Sequence, residues 1–96
     1  MNSIDKTCPI CDGPAIRAWD RGGRDAAEIQ CESCTTFLIF GPLLGRRDRG
    51  QMSAEENKLF PHLQAATRSA TQEGTMLFVG YSNWQNIALY WAGQSQ

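Results

Sequence analysis

The 96-residue sequence contains a single histidine, His62, and lacks the short motifs that most often carry catalysis. The HExxH helix of zinc proteases, the glycine loop that binds phosphate and the GxSxG turn of serine hydrolases are all missing. His62 has no second histidine at helical spacing, and we interpret it as a surface or boundary residue. We therefore expect a protein that is not an enzyme.

Long apolar runs are missing too. The longest, FLIF at residues 37–40, is far too short to cross a bilayer. The first residues, MNSIDKTC, have no apolar run behind a basic start and so lack the pattern of a signal peptide. We accordingly expect a cytoplasmic protein that does not contact a membrane. In that reducing compartment, cysteines are more often metal ligands than disulfides.

Positive charge is not in excess, because nine Lys and Arg residues face ten Asp and Glu residues and the formal net charge is −1. A general nucleic-acid binder carries a basic surface that displaces counterions from phosphates, so only local basic patches remain to be considered. Hydrophobic residues make up 42% of the chain and charged residues 20%, which is typical of one ordinary globular domain.

What the chain does have is two CxxC pairs separated by nineteen residues: Cys8 and Cys11 in TCPIC, and Cys31 and Cys34 in CESCT. This spacing is typical of four thiolates that bind one zinc ion. Four cysteines fill a tetrahedral shell and leave no position for water or substrate, so we predict one structural Zn²⁺. Iron stays open, because tetrahedral sulfur ligation suits both metals. A redox dithiol is the weaker alternative, since neither pair precedes a helical pattern.

Each CxxC pair is expected to form a tight turn, here called a knuckle, whose backbone amides donate hydrogen bonds to the thiolates. Gly13 lies just after the first pair and is predicted to be the residue with a positive φ that such a turn needs. The second pair is followed by Thr35 and Thr36 instead, which departs from that pattern.

Three short strands are predicted around the knuckles. Residues 15–19 and 26–30 flank the turn DRGGR and have the pattern of a β-hairpin. Residues 35–40, TTFLIF, are rich in β-branched and aromatic side chains. Two knuckles and three strands over residues 7–40 resemble a zinc ribbon, a fold class that says little about function.

After the ribbon, residues 41–52 contain GRRDRG and are predicted to be a basic loop. Ser53 followed by Glu56 is the signature of a capping box, so a helix should begin there. Pro61 is expected to kink this helix or to split it, because proline removes a hydrogen bond and clashes with the preceding turn.

Residues 75–80 predict a further strand. Residues 82–93 are predicted to form a second helix with Ser82 and Gln85 at its start, with a final strand as the alternative. The predicted fold is therefore a small α+β single domain, 1–96, in which an N-terminal zinc ribbon of three short antiparallel strands packs with the C-terminal part over residues 53–96.

Two groups of arginines are candidate binding residues. Around the hairpin turn, a tryptophan among guanidinium groups could stack on a base and bind phosphate. The alternative is that the tryptophan packs on the core and the arginines are solvated or paired with neighbouring aspartates. The first group is Arg17, Trp19, Arg21 and Arg24, and the second, in the basic loop, is Arg46, Arg47 and Arg49.

The order of CPIC, CESC, a strand, a helix of about twenty residues and EGTMLFV, over residues 7–80, resembles small uncharacterised zinc-ribbon proteins of bacterial and phage genomes. That group has no assigned activity. The resemblance implies a bacterial or phage setting and a non-enzymatic ribbon module.

The leading hypothesis is a zinc-stabilised binding module that presents a rigid surface to a protein partner. One alternative is direct nucleic-acid binding through the two arginine groups, which would weaken steeply with salt. Another is a phage-encoded protein that inhibits a host defence machine. A last alternative is a redox sensor in which oxidation of the thiolates ejects zinc.

Overall fold

The computed structural model describes residues 3–19 and 25–94, which contain a five-stranded sheet. The strands lie in chain order, so each one pairs with its neighbour in sequence. The first four are antiparallel, and the last pairs in parallel with the fourth. Their bounds are β1 Ser3–Thr7, β2 Pro14–Trp19, β3 Ala26–Cys31, β4 Thr35–Phe40 and β5 Phe78–Val79.

The three predicted ribbon strands are confirmed as β2, β3 and β4. The sequence pattern missed β1, because SIDKT shows no run of apolar or β-branched residues. This strand lies at the edge of the sheet and pairs only with β2 among the described residues. Each knuckle therefore connects the two strands of a hairpin: the first joins β1 to β2, and the second joins β3 to β4.

The sheet buries one of its faces. Arg17, Ile29 and Phe37 are cross-strand partners on this face, and Ile39 pairs with Val79 further along it. All five side chains are buried. Side chains alternate along a strand, so the adjacent row of partners, Ile16, Gln30 and Thr36, points to the opposite face. On that face Ile16 is 41% exposed.

The described part of the chain also contains four α-helices: α1 Gly41–Asp48, α2 Ala54–Leu59, α3 Leu63–Gln72 and α4 Trp84–Gln94. The first of them corrects the prediction of a basic loop at 41–52. Pro42 lies in the first turn of α1, where its missing N–H costs no hydrogen bond. Leu43 and Leu44 are buried, so the helix is held by packing that its charged sequence does not suggest.

The capping box is confirmed at the start of α2. The Ser53 hydroxyl accepts a hydrogen bond from the Glu56 amide at 3.1 Å, and the Glu56 carboxylate accepts from the Ser53 amide at 2.8 Å. Pro61 splits the helical segment as expected, since a 3-10 turn at Phe60–His62 separates α2 from α3. Gly74 ends α3 with a φ of 80°.

Residues 84–94 form α4, so the helix that was favoured for this segment is confirmed. Its start differs from the predicted pairing of Ser82 with Gln85, because the Asn83 side chain accepts from the Gly80 amide at 2.7 Å instead. Trp84 is buried with its ring 5.1 Å from that of Phe60. Within the described ranges, we find no helix with the length and apolar character needed to cross a membrane.

Candidate metal centre

The four cysteines meet where the two hairpin turns lie side by side. Their sulfur atoms all lie within 4.8 Å of one another, and the sulfurs of Cys11 and Cys31 are 3.5 Å apart. A tetrahedral shell with metal–sulfur bonds of about 2.3 Å requires sulfur–sulfur separations of about 3.8 Å, which falls within this range. The geometry therefore fits a single metal ion bound by all four sulfurs.

Backbone amides point at the sulfurs, as knuckle turns require. The Ile10 amide lies 3.4 Å from the sulfur of Cys8, and the Gly13 amide lies 3.4 Å from that of Cys11. In the second knuckle the Cys34 amide lies 3.4 Å from the Cys31 sulfur. Such hydrogen bonds stabilise thiolate charge and orient the ligands.

The predicted role of Gly13 is wrong, because the positive φ of the first knuckle falls one residue earlier. Asp12 has a φ of 62°, and Thr35 occupies the equivalent position after the second pair with a φ of 67°. Aspartate adopts this conformation readily, whereas a β-branched threonine rarely does. Gly13 is instead suited to a close approach, since a Cβ there would lie 3.3 Å from the Cys11 sulfur.

Thr35 is held in its unusual conformation by α3. Its hydroxyl lies 3.2 Å from the carbonyl oxygen of Thr67 and 2.7 Å from the hydroxyl of Thr71. A hydroxyl can donate one hydrogen bond and accept another, so both contacts can form together. The second knuckle is thereby fixed to the helical layer through neutral hydrogen bonds.

The thiols interact strongly with one another when no metal is bound. A hydrogen bond from Cys34 lowers the pKa of Cys8 to about 5. The same interaction raises the pKa of Cys34, and burial raises the pKa of Cys11. The Cys8 thiolate is therefore ready to bind a cation at neutral pH, while the protons on Cys11 and Cys34 must be displaced.

The donor set identifies the chemistry of the centre. Four thiols are soft ligands that favour zinc or iron over magnesium or calcium. Among residues 3–19 and 25–94, this is the one group of three or more histidine, cysteine or acidic side chains arranged to hold a metal ion. The cluster makes the chain a metal-binding module.

Arg17, predicted to bind nucleic acid, faces the interior of the protein. The residue is 7% exposed, and its guanidinium donates to both oxygens of Asp48 at 2.7 and 3.1 Å. Two further hydrogen bonds, at 2.7 and 3.2 Å, reach the carbonyl oxygen of Thr7. These four hydrogen bonds bind the guanidinium group to Thr7 and Asp48 of the same fold.

The arginines of the second group also contact the protein itself. Arg46 lies 3.5 Å from the Glu56 carboxylate and covers the ring of Tyr81 at 5.9 Å. Arg47 donates to the Pro9 carbonyl at 2.9 Å. Arg49 donates to the side chain of Gln51 at 3.2 Å.

The remaining members of the first group cannot be compared with the structure. Arg21 and Arg24 lie outside the described residues, and for Trp19 only the backbone, within β2, is described. The described arginine of this group, Arg17, forms an ion pair with Asp48, which lies between Arg47 and Arg49 of the second group. Asp48, which the sequence showed only as an interruption of the second group, is thus a structural partner.

A shallow open cavity was missed by the sequence analysis. It has a volume of about 290 Å³ and is lined by Phe40, Phe78, Gly80, Tyr81 and Ser82. The rings of Phe40 and Tyr81 meet edge to face at 5.6 Å. The sequence signal for this cavity was three aromatic residues: Phe40 at the end of β4, Phe78 in β5 and Tyr81 just after it. Only the parallel pairing of β4 with β5 brings them together.

Comparison of the chain with family models, with curated proteins and with solved structures finds no match in any of the three. The bacterial or phage setting implied by the ribbon resemblance and the cytoplasmic location therefore stay predictions.

Proposed function

We propose that the protein is a zinc-stabilised, non-enzymatic module that binds a protein partner. The observation that carries this proposal is the closed set of four sulfurs, in which every ligand comes from the chain. A tetrahedral ion held by four cysteines has no free position for water or substrate, which is the arrangement of structural zinc sites. The metal then fixes the two hairpins relative to each other.

The cavity beside β5 is the surface proposed for the partner. Its volume of about 290 Å³ lies just below the range of about 300–1,000 Å³ that is typical of small-molecule sites. The lining is mostly aromatic, and Tyr81 is 45% exposed. Aromatic side chains in a shallow hollow are the usual anchors of protein interfaces.

Charge supports an apolar protein segment as the occupant. From Gly74 to Gln96 the sequence has no charged residue. The cation beside the cavity, Arg46, is already near Glu56 and Tyr81. Nucleic acid requires free cations that can replace counterions, so the neutral cavity favours an uncharged, apolar side chain of a protein.

The metal is tested first. Protein produced in medium with equal zinc and iron is analysed for metal content and by native mass spectrometry. We expect one zinc ion per chain. A preparation that contains mainly iron, or that binds zinc with less than one equivalent at saturation, would contradict the zinc assignment.

The partner is tested with a photo-crosslinking side chain at Tyr81 and, as a control, at Glu55, which is exposed on α2. The protein captured from position 81 alone is purified and titrated with the wild type, with Tyr81→Asp and with Tyr90→Asp. Tyr90 is 61% exposed and does not line the cavity. We expect Tyr81→Asp alone to weaken binding, by about tenfold or more. Equal capture at both positions, capture of nucleic acid, or equal affinity of the two variants would refute the proposal.

A further inference from the structure

The ligand Cys8 lies between two carbonyl groups that arginine side chains hold. The carbonyl oxygen of Thr7 accepts two hydrogen bonds from Arg17, at 2.7 and 3.2 Å. The carbonyl oxygen of Pro9 accepts one from Arg47, at 2.9 Å. The Thr7–Cys8 peptide group before the ligand and the Pro9–Ile10 peptide group after it are therefore held by guanidinium groups from outside the knuckle.

Both contacts depend on the last turn of α1. Arg47 belongs to that turn, and the next residue, Asp48, accepts the two hydrogen bonds that orient Arg17. Arg47 also lies 3.7 Å from the carboxylate of Asp12, the residue of the knuckle with the positive φ. One turn of helix thus contacts the first knuckle directly at Pro9 and Asp12, and it acts on Thr7 through Arg17.

The side chains that make these contacts are themselves held in place. The side chain of Arg17 is 8% exposed and that of Arg47 is 21% exposed. The Arg47 guanidinium covers the ring of the buried Phe60 at 5.5 Å and donates to the Asn57 side chain at 3.3 Å. Contacts of this kind cost little additional entropy when a metal binds, because the arginine is already ordered.

We propose that Arg47 and the Arg17–Asp48 pair are positioning residues of the metal centre. They hold the Cys8 turn in the orientation that the ion requires, and Arg47 brings positive charge towards a centre where four thiolates and a divalent ion carry a net charge of −2. The inference rests on the proposed metal-binding function. Loss of interactions that orient ligands typically lowers metal affinity by about 10- to 100-fold.

The test compares Arg47→Gln with Arg46→Gln in the full chain. The two arginines are neighbours in α1, but the contacts of Arg46 lie on Glu56, Gln51 and Tyr81 and not on a knuckle. Zinc affinity is measured by competition with a chromophoric chelator. We expect Arg47→Gln to weaken zinc binding about 10-fold or more, and Arg46→Gln to change it less than about 2-fold. Equal affinities for the two variants would overturn the inference.

A second measurement separates positioning from general stability. The variants and the wild type are saturated with Co²⁺, whose absorption bands report the geometry of the sulfur ligands. Val79→Ala, in the core on β5, serves as a variant that lowers stability without touching a knuckle. We expect altered bands for Arg47→Gln and Asp48→Asn, partial recovery in Arg47→Lys, and wild-type bands for Val79→Ala. Unchanged bands in both Arg47→Gln and Asp48→Asn would overturn the inference. A wild type that binds neither Zn²⁺ nor Co²⁺ would instead overturn the proposed function.

Discussion

The two knuckles supply equal numbers of ligands but are supported in different ways. The first lies in the hairpin of β1 and β2, where β1 is the edge strand, and arginine side chains hold its peptide groups. The second lies in the hairpin of β3 and β4, which has paired strands on both sides and is joined to α3 by the hydroxyl of Thr35. An interior hairpin needs little further support, whereas a hairpin at an edge depends on contacts from elsewhere.

Removal of the metal should have the largest effect and should separate the two hairpins. Metal binding to sites of this kind contributes on the order of 10 kcal/mol to folding. We expect a chelator to unfold the protein or, short of that, to leave the amides of β1 and β2 exchanging faster than those of β3 and β4. Hydrogen exchange with and without chelator measures this difference. Equal loss of protection in both hairpins of a metal-free protein that stays folded would mean that the edge position of the first does not matter.

Acid should weaken metal binding, and both knuckles should contribute to this effect. The pKa is raised for Cys11 in the first knuckle and for Cys34 in the second, so each of these thiols holds a proton at neutral pH in the metal-free protein. Each displaced proton makes the affinity fall about tenfold for each unit that the pH is lowered. We expect a fall of at least about 100-fold per unit between pH 8 and pH 6, because Cys11 and Cys34 must both lose protons.

Zinc titrations at several pH values, with a chelator whose own protonation is known, measure this slope. Conversion of Cys34 to serine removes a thiol with a raised pKa and should lower the slope as well as the affinity. A wild-type slope of zero would contradict the account, since the thiols would then already be ionised.

The sequence predicted the metal ligands and the central strands because both have strong local signals. The CxxC spacing fixes the ligand set without knowledge of the fold, and TTFLIF has the composition of a strand whatever packs against it. The capping box of Ser53 and Glu56 and the break at Pro61 depend only on neighbouring residues, and both were found.

Features that depend on distant residues were missed. The helix α1 exists because Leu43 and Leu44 are buried in the core, while its local sequence has two glycines and a proline. Arg17 and Asp48 lie thirty-one positions apart, so their pairing leaves no local pattern. Arginines in a glycine-containing segment were therefore interpreted as a binding surface, although their described contacts lie within the fold.

A smaller effect is expected from the link between the second knuckle and α3. Thr35→Val keeps the β-branched shape at a positive φ but removes both hydrogen bonds of the hydroxyl, so we expect a loss of about 2 kcal/mol in the free energy of unfolding. Thr36→Val is the matched control, since this neighbour is equally half-buried and pairs with Gln30 in the sheet. Urea unfolding of the zinc-loaded proteins measures both values. If Thr36→Val costs as much as Thr35→Val, the link to α3 contributes nothing specific.

The smallest effect should come from the capping box that begins α2, the helix that carries Asn57 towards Arg47. Ser53→Ala removes the acceptor of the Glu56 amide and should cost about 1 kcal/mol. The hydrogen bond from the Ser53 amide lowers the pKa of Glu56 below its ordinary value of 4.5. A carboxyl group with a lowered pKa stabilises the fold above its ordinary pKa, and this contribution is lost as the pH falls through the lowered value.

Urea unfolding at pH 7 and in acid, compared with Ser82→Ala before α4, tests this last prediction. Ser82 is exposed, so its replacement should change the free energy of unfolding by less than about 0.5 kcal/mol. Asn57 links α2 to Arg47, which contacts the first knuckle. Loosening of the first turn of α2 should therefore also weaken the amide hydrogen bonds of the first knuckle, while those of the second stay unchanged. Hydrogen exchange of Ser53→Ala should therefore show faster exchange at Ile10 and Gly13 than in the wild type, with no change at Cys34. Faster exchange at Cys34 as well would indicate a general loss of stability, and the two knuckles would then not be supported independently.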